Sequence, residues 1–314
     1  MTVMRFEAGG RPFQVDFGKP LSLAIPLDFA GPQPSCFGAP RAGSKPMQAG
    51  GFTGDTRRGG SCNCEVLTLA PHGNGTHTEC VGHLTDQRVA VSEALPGGVQ
   101  VAQLVTVDPE PAESSGEDSE PRPQPGDRLV TARALARAAA GHSGPRPTAL
   151  VVRTQRDGPP LRAYEGPAPA PFLSRQAASW LVERGIESLV LDLPSADRAD
   201  DAGRLTAHRV FFGLPPGSRD AGAARRPGAS ITELAWIGAD IADGFYLLDL
   251  QIPPFVTDAA DLRFARDVAS WYSDRPPDLI AKIEAANAEL LGQGSGNILL
   301  QAEQRAALPS WLFA

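Results

Sequence analysis

The sequence predicts a mixed α/β fold, and three observations carry that prediction. Apolar runs bounded by turn residues recur along the chain, several of them alternate with helical patterns, and 42% apolar against 21% charged residues suffices to bury a core. Five segments read as strands: CEVLTLA (64–70), VQVAQLVTVD (99–108), TALVVRT (148–154), ESLVLDL (187–193) and GFYLLDLQI (244–252). Between them, LVTARALARAAAG (129–141) and LSRQAASWLVERG (173–185) place apolar residues three and four apart and end on Gly, as helices do. PEPAESSGEDSEPRPQPGD (109–127) has no apolar periodicity and reads as a solvated or disordered loop insertion, and GLPPGSRDAGAARRPGAS (213–230) reads as irregular. After residue 258 the pattern turns helical, with DLIAKIEAANAELLGQG (278–294) as a capped helix, so 259–314 is expected to be a helical C-terminal extension of one domain spanning 1–314.

Charge and composition narrow the partners. With 29 basic and 36 acidic residues the net charge is −7, so the basic footprint that nucleic acid or an anionic membrane surface requires is missing. Neither is a favoured partner. The N-terminal MTVMRFEAGGRPFQV lacks an apolar signal core and no stretch approaches the roughly 18 apolar residues of a membrane span, which makes a cytoplasmic location the expectation. The four cysteines then read as reduced thiols. Cys62, Cys64 and Cys80 are expected to be small buried residues on or beside a strand, in preference to a thiolate zinc site, because paired C-x2-C knuckles are absent.

Histidine is scarce, with five in the chain, and three of them (His72, His77 and His83) fall inside PHGNGTHTECVGH (71–83) together with Glu79. Imidazole mixed with carboxylate is the ligand set suited to zinc, manganese or iron(II). His77 and Glu79, two apart, point to one side of an extended segment, and Gly73 and Gly75 offer turns that would bring His72 to the same point. The alternative is a polar loop whose side chains bond one another; three histidines with a carboxylate favour the metal reading. Asp192, Ser195 and Asp197 follow a predicted strand and read equally well as an active-site loop or as a capped turn. His142, after a helix end, reads as solvated.

GTHTECVGH is similar to the H-x-G-T-H-x-D-x3-H signature of the cyclase family of metal-dependent hydrolases, which includes bacterial kynurenine formamidase and isatin hydrolase. The resemblance continues through RQAASWLVERGIESLVLDLPSAD (175–197), LTAHRVFF (205–212) and ITELAWI (231–237), and covers most of residues 20–258. It implies a swivelling β/β/α domain with a mixed central sheet and packed helices. It implies further that His72, His77 and Glu79 bind a first divalent ion, zinc or manganese. Glu79 would bridge to a second ion held by His208 and Glu233, giving one or two ions per subunit, with His83 as general acid and base. The implied activity is hydrolysis of a C–N bond in an amide, formamide or lactam, by an enzyme that assembles as a homodimer or homotetramer. A lactonase or dehydratase using the same site, and a non-catalytic metal-binding descendant, stay open. Glu79 stands where the family has Asp, one extra residue separates His72 from the G-T-H core, Cys80 and Val81 replace the family's proline position, and an insertion stretches the interval from His208 to Glu233.

Overall fold

Seven strands form a mixed central sheet in the computed structural model, which describes residues 3–261 apart from 9–10, 17–18, 96, 156–157, 159–162 and 165–168. They are β1 (His77–Glu79), β2 (Val99–Thr106), β3 (Ala149–Arg153), β4 (Ser188–Leu191), β5 (Ser230–Glu233), β6 (Gly244–Asp249) and β7 (Ala259–Asp261). Their order is β6-β2-β3-β4-β5-β1-β7. The four inner strands β2, β3, β4 and β5 run parallel, while β6 pairs antiparallel with β2, and β1 lies antiparallel to both β5 and β7.

Parallel neighbours need crossovers, and three helices supply them: α1 (Ala132–Ala140), α2 (Arg175–Glu183) and α3 (Thr206–Phe212). All three cover one face. Leu135, Leu181 and Phe211 from the helices pack there against Val105, Leu150, Val152, Leu189, Leu191 and Ile231 from the strands. Alternation along the same strands sends Leu104, Val151 and Val190 to the opposite face, where Ala235, Ile237 and Leu248 meet them. Thr131 and Ser174 cap α1 and α2, each accepting a hydrogen bond from the amide three residues on.

Four of the five expected strands lie in this sheet. The fifth, 64–70, narrows to Glu65–Thr68 and pairs with Gly43–Pro46 in a separate two-stranded ribbon, where all four of its residues are exposed. Segment 109–127 corrects the solvated-loop reading. Glu110–Pro111 pairs with Arg128–Val130, and Glu117 accepts hydrogen bonds from the Ala132 amide (2.9 Å) and from Ser174 Oγ (2.5 Å). A carboxylate that ties together the starts of two helices gains from their exposed amides, a contact that composition does not reveal. The helical expectation for 259–314 fails at its beginning, because Ala259–Asp261 takes up the free edge of β1 as a strand. Residues 262–314, including the helix expected at 278–294, lie outside the described residues.

Candidate metal centre

The short strand β1 positions the first two residues. In β1 the side chains of His77 and Glu79 share a face with Ile231 and Glu233 of β5, their register partners, on the side covered by the helices. Thr78 points the other way, where its hydroxyl bonds that of Thr232 at 2.7 Å. Thr76 fixes the approach by donating to Leu234 O at 2.6 Å and accepting the Ile25 amide at 3.0 Å. Glu233 ends β5 and is followed by Leu234 at φ 52°, a left-handed turn held by the bond from the Leu234 amide to Leu193 O.

His208 descends from α3. Its helix begins after Leu205, also left-handed at φ 48°, and its first turn is caught by Asp197, which accepts the amides of Ala207 (2.8 Å) and His208 (3.1 Å). The same carboxylate accepts His208 Nδ1–H at 2.7 Å. His72 rides on the helical turn Pro71–Asn74 and His83 on the 3-10 turn Val81–Leu84, both half-buried at the rim. The role expected for the glycines changes here. That helical turn, not a glycine bend, presents His72; Gly75 is extended, and Gly73 is needed because a Cβ there would come within 2.3 Å of Ala39 Cβ.

The sequence-predicted residues therefore meet. His208 Nε2 lies 2.6 Å from Glu79 Oε1 and 3.5 Å from Glu233 Oε1, His77 Nε2 lies 3.5 Å from Glu233 Oε2, and His72 Nδ1 lies 3.1 Å from Glu79 Oε2. His83 stands farther out, with Nδ1 3.8 Å from Glu79 Oε2. The donor atoms of His72, His77 and Glu79 fall within 4.8 Å of one another, as do those of Glu79, His83 and His208.

Three of the imidazoles each have one nitrogen spoken for. His77 Nδ1–H donates to Gly75 O at 3.0 Å, His208 Nδ1–H to Asp197, and His72 Nε2–H to Asp258 Oδ2 at 2.9 Å. The opposite nitrogens, His77 Nε2, His208 Nε2 and His72 Nδ1, face Glu79 and Glu233. Fixing the outer nitrogen in this way sets the tautomer of a metal-binding histidine. Moreover, His77 Nε2, His208 Nε2 and both Glu79 oxygens are buried without a well-directed hydrogen bond, close as His208 Nε2 and Glu79 Oε1 are. Such atoms cost free energy unless something satisfies them, and a cation between them would. The residues present thus fit a divalent ion.

Electrostatics points the same way. Burial works to raise the Glu79 carboxyl, but the His83 and His208 imidazoles hold it well below the usual carboxylate range. Burial likewise disfavours charge on His208, yet Glu79, Asp197 and Glu233 hold its pKa well above that of a free imidazole. For His72, burial is overcome by Asp258 and Glu79, which lift it to about 10. The carboxylates make this a place for positive charge, which protons on the imidazoles or a metal ion can supply.

Asp197, which reads equally well as part of an active-site loop or of a capped turn, caps α3 and also bonds His208 Nδ1. Asp258, 186 positions from His72, had no signal at all. The other residues singled out separate from the centre. Asp192 accepts the amides of Thr154 and Gln155, each at 2.7 Å, and Ser195 Oγ accepts the Asp197 amide at 3.1 Å. His142 is exposed, as expected. Of the three cysteines expected to be buried only Cys80 is; Cys62 is exposed and Cys64 half-buried, because the segment that carries them leads into the outlying ribbon. Burial pushes the Cys80 thiol up to about 11, which argues against a thiolate nucleophile beside the histidines.

With this geometry in place, comparison with known proteins becomes informative. The Cyclase family model matches residues 18–198, more than half of the chain. The chain belongs to the cyclase family. The match includes His72, His77, Glu79 and His83, whereas His208 and Glu233 lie beyond it and are placed by the fold. Among solved structures, isatin hydrolase A from Labrenzia aggregata bound to benzyl benzoate aligns over 78% of this chain and 91% of its own, with 17% identity and a TM-score of 0.52. A potential metal-dependent hydrolase with cyclase activity aligns over 78% of this chain and 95% of its own, with 17% identity and a TM-score of 0.50. At this identity the likeness is one of fold. No curated protein sequence matches significantly. Among the described residues no helix is long and apolar enough to cross a membrane.

Proposed function

We propose that this cyclase-family chain is a metal-dependent hydrolase that cleaves a C–N bond of an amide, formamide or lactam. One observation carries the reading: buried Glu79 joins two clusters of donor atoms, one with His72 and His77 and one with His83 and His208, and the His77 and His208 imidazoles are each pinned on the far side. His72, His77 and Glu79 would hold a zinc or manganese ion, with His208 and Glu233 on the other side of Glu79 available for a second. When bound, a divalent ion supplies Lewis acidity toward a carbonyl oxygen and acidifies water.

The chain's own residues supply the rest. Asp197 and Gly75 O keep His208 and His77 in the orientation that presents Nε2 inward. His83, at the open side of the cluster, moves the proton from water to the leaving nitrogen, work suited to an imidazole near neutral pH. Structural upkeep alone would not call for a fourth, half-exposed imidazole at that position. In support of the substrate class, the two aligned structures are described as an isatin hydrolase and a potential metal-dependent hydrolase. The substrate is a small molecule in this reading. The family resemblance adds a homodimer or homotetramer, which light scattering showing a monomer at micromolar concentration would overturn.

The test is metal analysis of protein purified without chelator, followed by hydrolysis assays on formanilide, isatin and dihydrocoumarin. One or two equivalents of zinc or manganese and turnover of the formamide or lactam are expected. Turnover of the lactone alone would move the assignment to a lactonase, and protein that neither contains nor takes up either metal would remove it.

A further inference from the structure

Asp258 belongs to no motif, yet it occupies a controlling position. It stands one residue before β7, whose Ala259 is the register partner of Glu79, so the fold delivers its carboxylate to the mouth of the centre. Its backbone is anchored there: Asp258 O accepts the Cys80 amide at 3.2 Å, and Thr257 O accepts the Val91 amide at 2.8 Å. From that anchor Oδ2 reaches His72 Nε2 at 2.9 Å and His83 Nδ1 at 3.4 Å. The two rings lie 4.3 Å apart between centroids, so a single oxygen serves both.

The floor of the site shows what such a carboxylate does. Asp197 holds Nδ1 of His208 and turns Nε2 toward Glu79. Asp258 stands in the same relation to His72, holding Nε2 and turning Nδ1 toward Glu79 Oε2. Its second bond differs in kind, because it reaches the one histidine of the cluster that the proposed reading leaves off the metal.

We propose that Asp258 is a positioning residue that orients His72 for metal binding and His83 for proton transfer through one shared oxygen, coupling the two tasks. The inference rests on the hydrolase reading above and extends it to a residue outside the family match. Without the carboxylate, the His72 ring is free to rotate Nδ1 away from Glu79, and His83 loses the acceptor that fixes which nitrogen carries its proton. Metal affinity and turnover then fall together, though through different histidines.

Two measurements on the full chain separate these effects. Zinc chloride is titrated against chelator-treated protein in competition with a chromophoric chelator, and kcat is measured at saturating zinc on the fastest of the three probes above. Asp258→Ala is expected to weaken zinc binding and to lower kcat by about ten- to a hundred-fold each, with KM changed less than about three-fold. Asp258→Asn, which keeps the volume and an acceptor oxygen, is expected to recover part of both losses. In a His83→Ala background, Asp258→Ala is expected to cost less than about two-fold in kcat, because the group through which it acts is already gone. Parent-like zinc affinity and kcat in both Asp258 variants would overturn the proposal, as would an equal kcat loss with and without His83. A parent protein that binds no zinc or manganese would instead bring down the hydrolase reading and this inference with it; a parent that binds metal normally while Asp258→Ala matches it overturns the inference alone.

Discussion

The floor and the rim of the candidate centre use the same chemistry under opposite conditions. The floor, made of His77, Glu79, His208 and Glu233, is almost wholly buried and hangs on β1, β5 and α3. The rim, made of His72, His83 and Asp258, is roughly one-third exposed and hangs on two single turns and the lead-in to an edge strand. In the floor a misplaced charge has no water to turn to, so the groups that position it are themselves anchored to backbone: Asp197 makes three bonds to α3 alone, and Glu233 accepts the Ala196 amide at 2.6 Å. At the rim one carboxylate oxygen suffices for two rings. Rigidity is concentrated where an ion would sit, and freedom where a proton and a substrate must pass.

That division can be broken most directly at the floor. His77→Ala and His208→Ala should each abolish metal uptake and turnover, read by metal analysis and by assay; a variant that keeps its full metal content excludes the mutated residue from the ligand set. At the rim, His83→Ala should leave most of the metal bound while slowing turnover by roughly a hundred- to ten-thousand-fold, the usual span for a positioned proton-transfer group. If it releases the metal, His83 belongs to the floor and the division is misdrawn. Glu79→Asp tests the length of the connection between the two. His72 and His208 lie on opposite oxygens of this carboxylate, at 3.1 and 2.6 Å, so a side chain shorter by one methylene should weaken metal binding although it restores the family's residue. Parent-like affinity would mean that the longer side chain is incidental.

The smallest effect belongs to a carboxylate in neither set. Burial lifts Asp192 to about 6 from an ordinary 3.8, so its neutral form favours the fold. Its stabilisation is therefore full below about pH 4 and fades as pH rises through 6, by up to about 3 kcal/mol for a shift of this size. Asp192→Asn should lose that pH dependence in denaturant titrations while keeping the parent's metal content. A change in metal content would extend the floor to the loop at Thr154 and Gln155.

What the sequence disclosed follows from how local each signal is. The H-x-E-x3-H spacing put His77, Glu79 and His83 on the page because strand alternation and a single turn decide their directions within seven residues. The inner strands β2, β3 and β4 announced themselves as apolar runs because both faces of each are covered. β1 and β7, three residues each, are too short to show a period, and β1 is polar throughout because its inward face is the site itself. Asp258 could not be found by any local rule, since its partners are made only when β7 closes onto β1. Glu65–Thr68 misled in the other direction, for a short apolar run marks a strand but not which sheet takes it.

The spread of the ligands along the chain has a consequence for folding. From His72 to Glu233 they span more than half the sequence, and Glu233 reaches His77 only when a C-terminal segment pairs antiparallel with an N-terminal one across the finished parallel sheet. An unfolded chain keeps only His72, His77, Glu79 and His83 near one another and lacks the rest of the set. An ion that uses the whole set therefore binds the native state more tightly and stabilises it by mass action, by at most about 2.7 kcal/mol at a free concentration one hundred times its dissociation constant. Chelation would then lower the melting temperature without touching a single apolar contact.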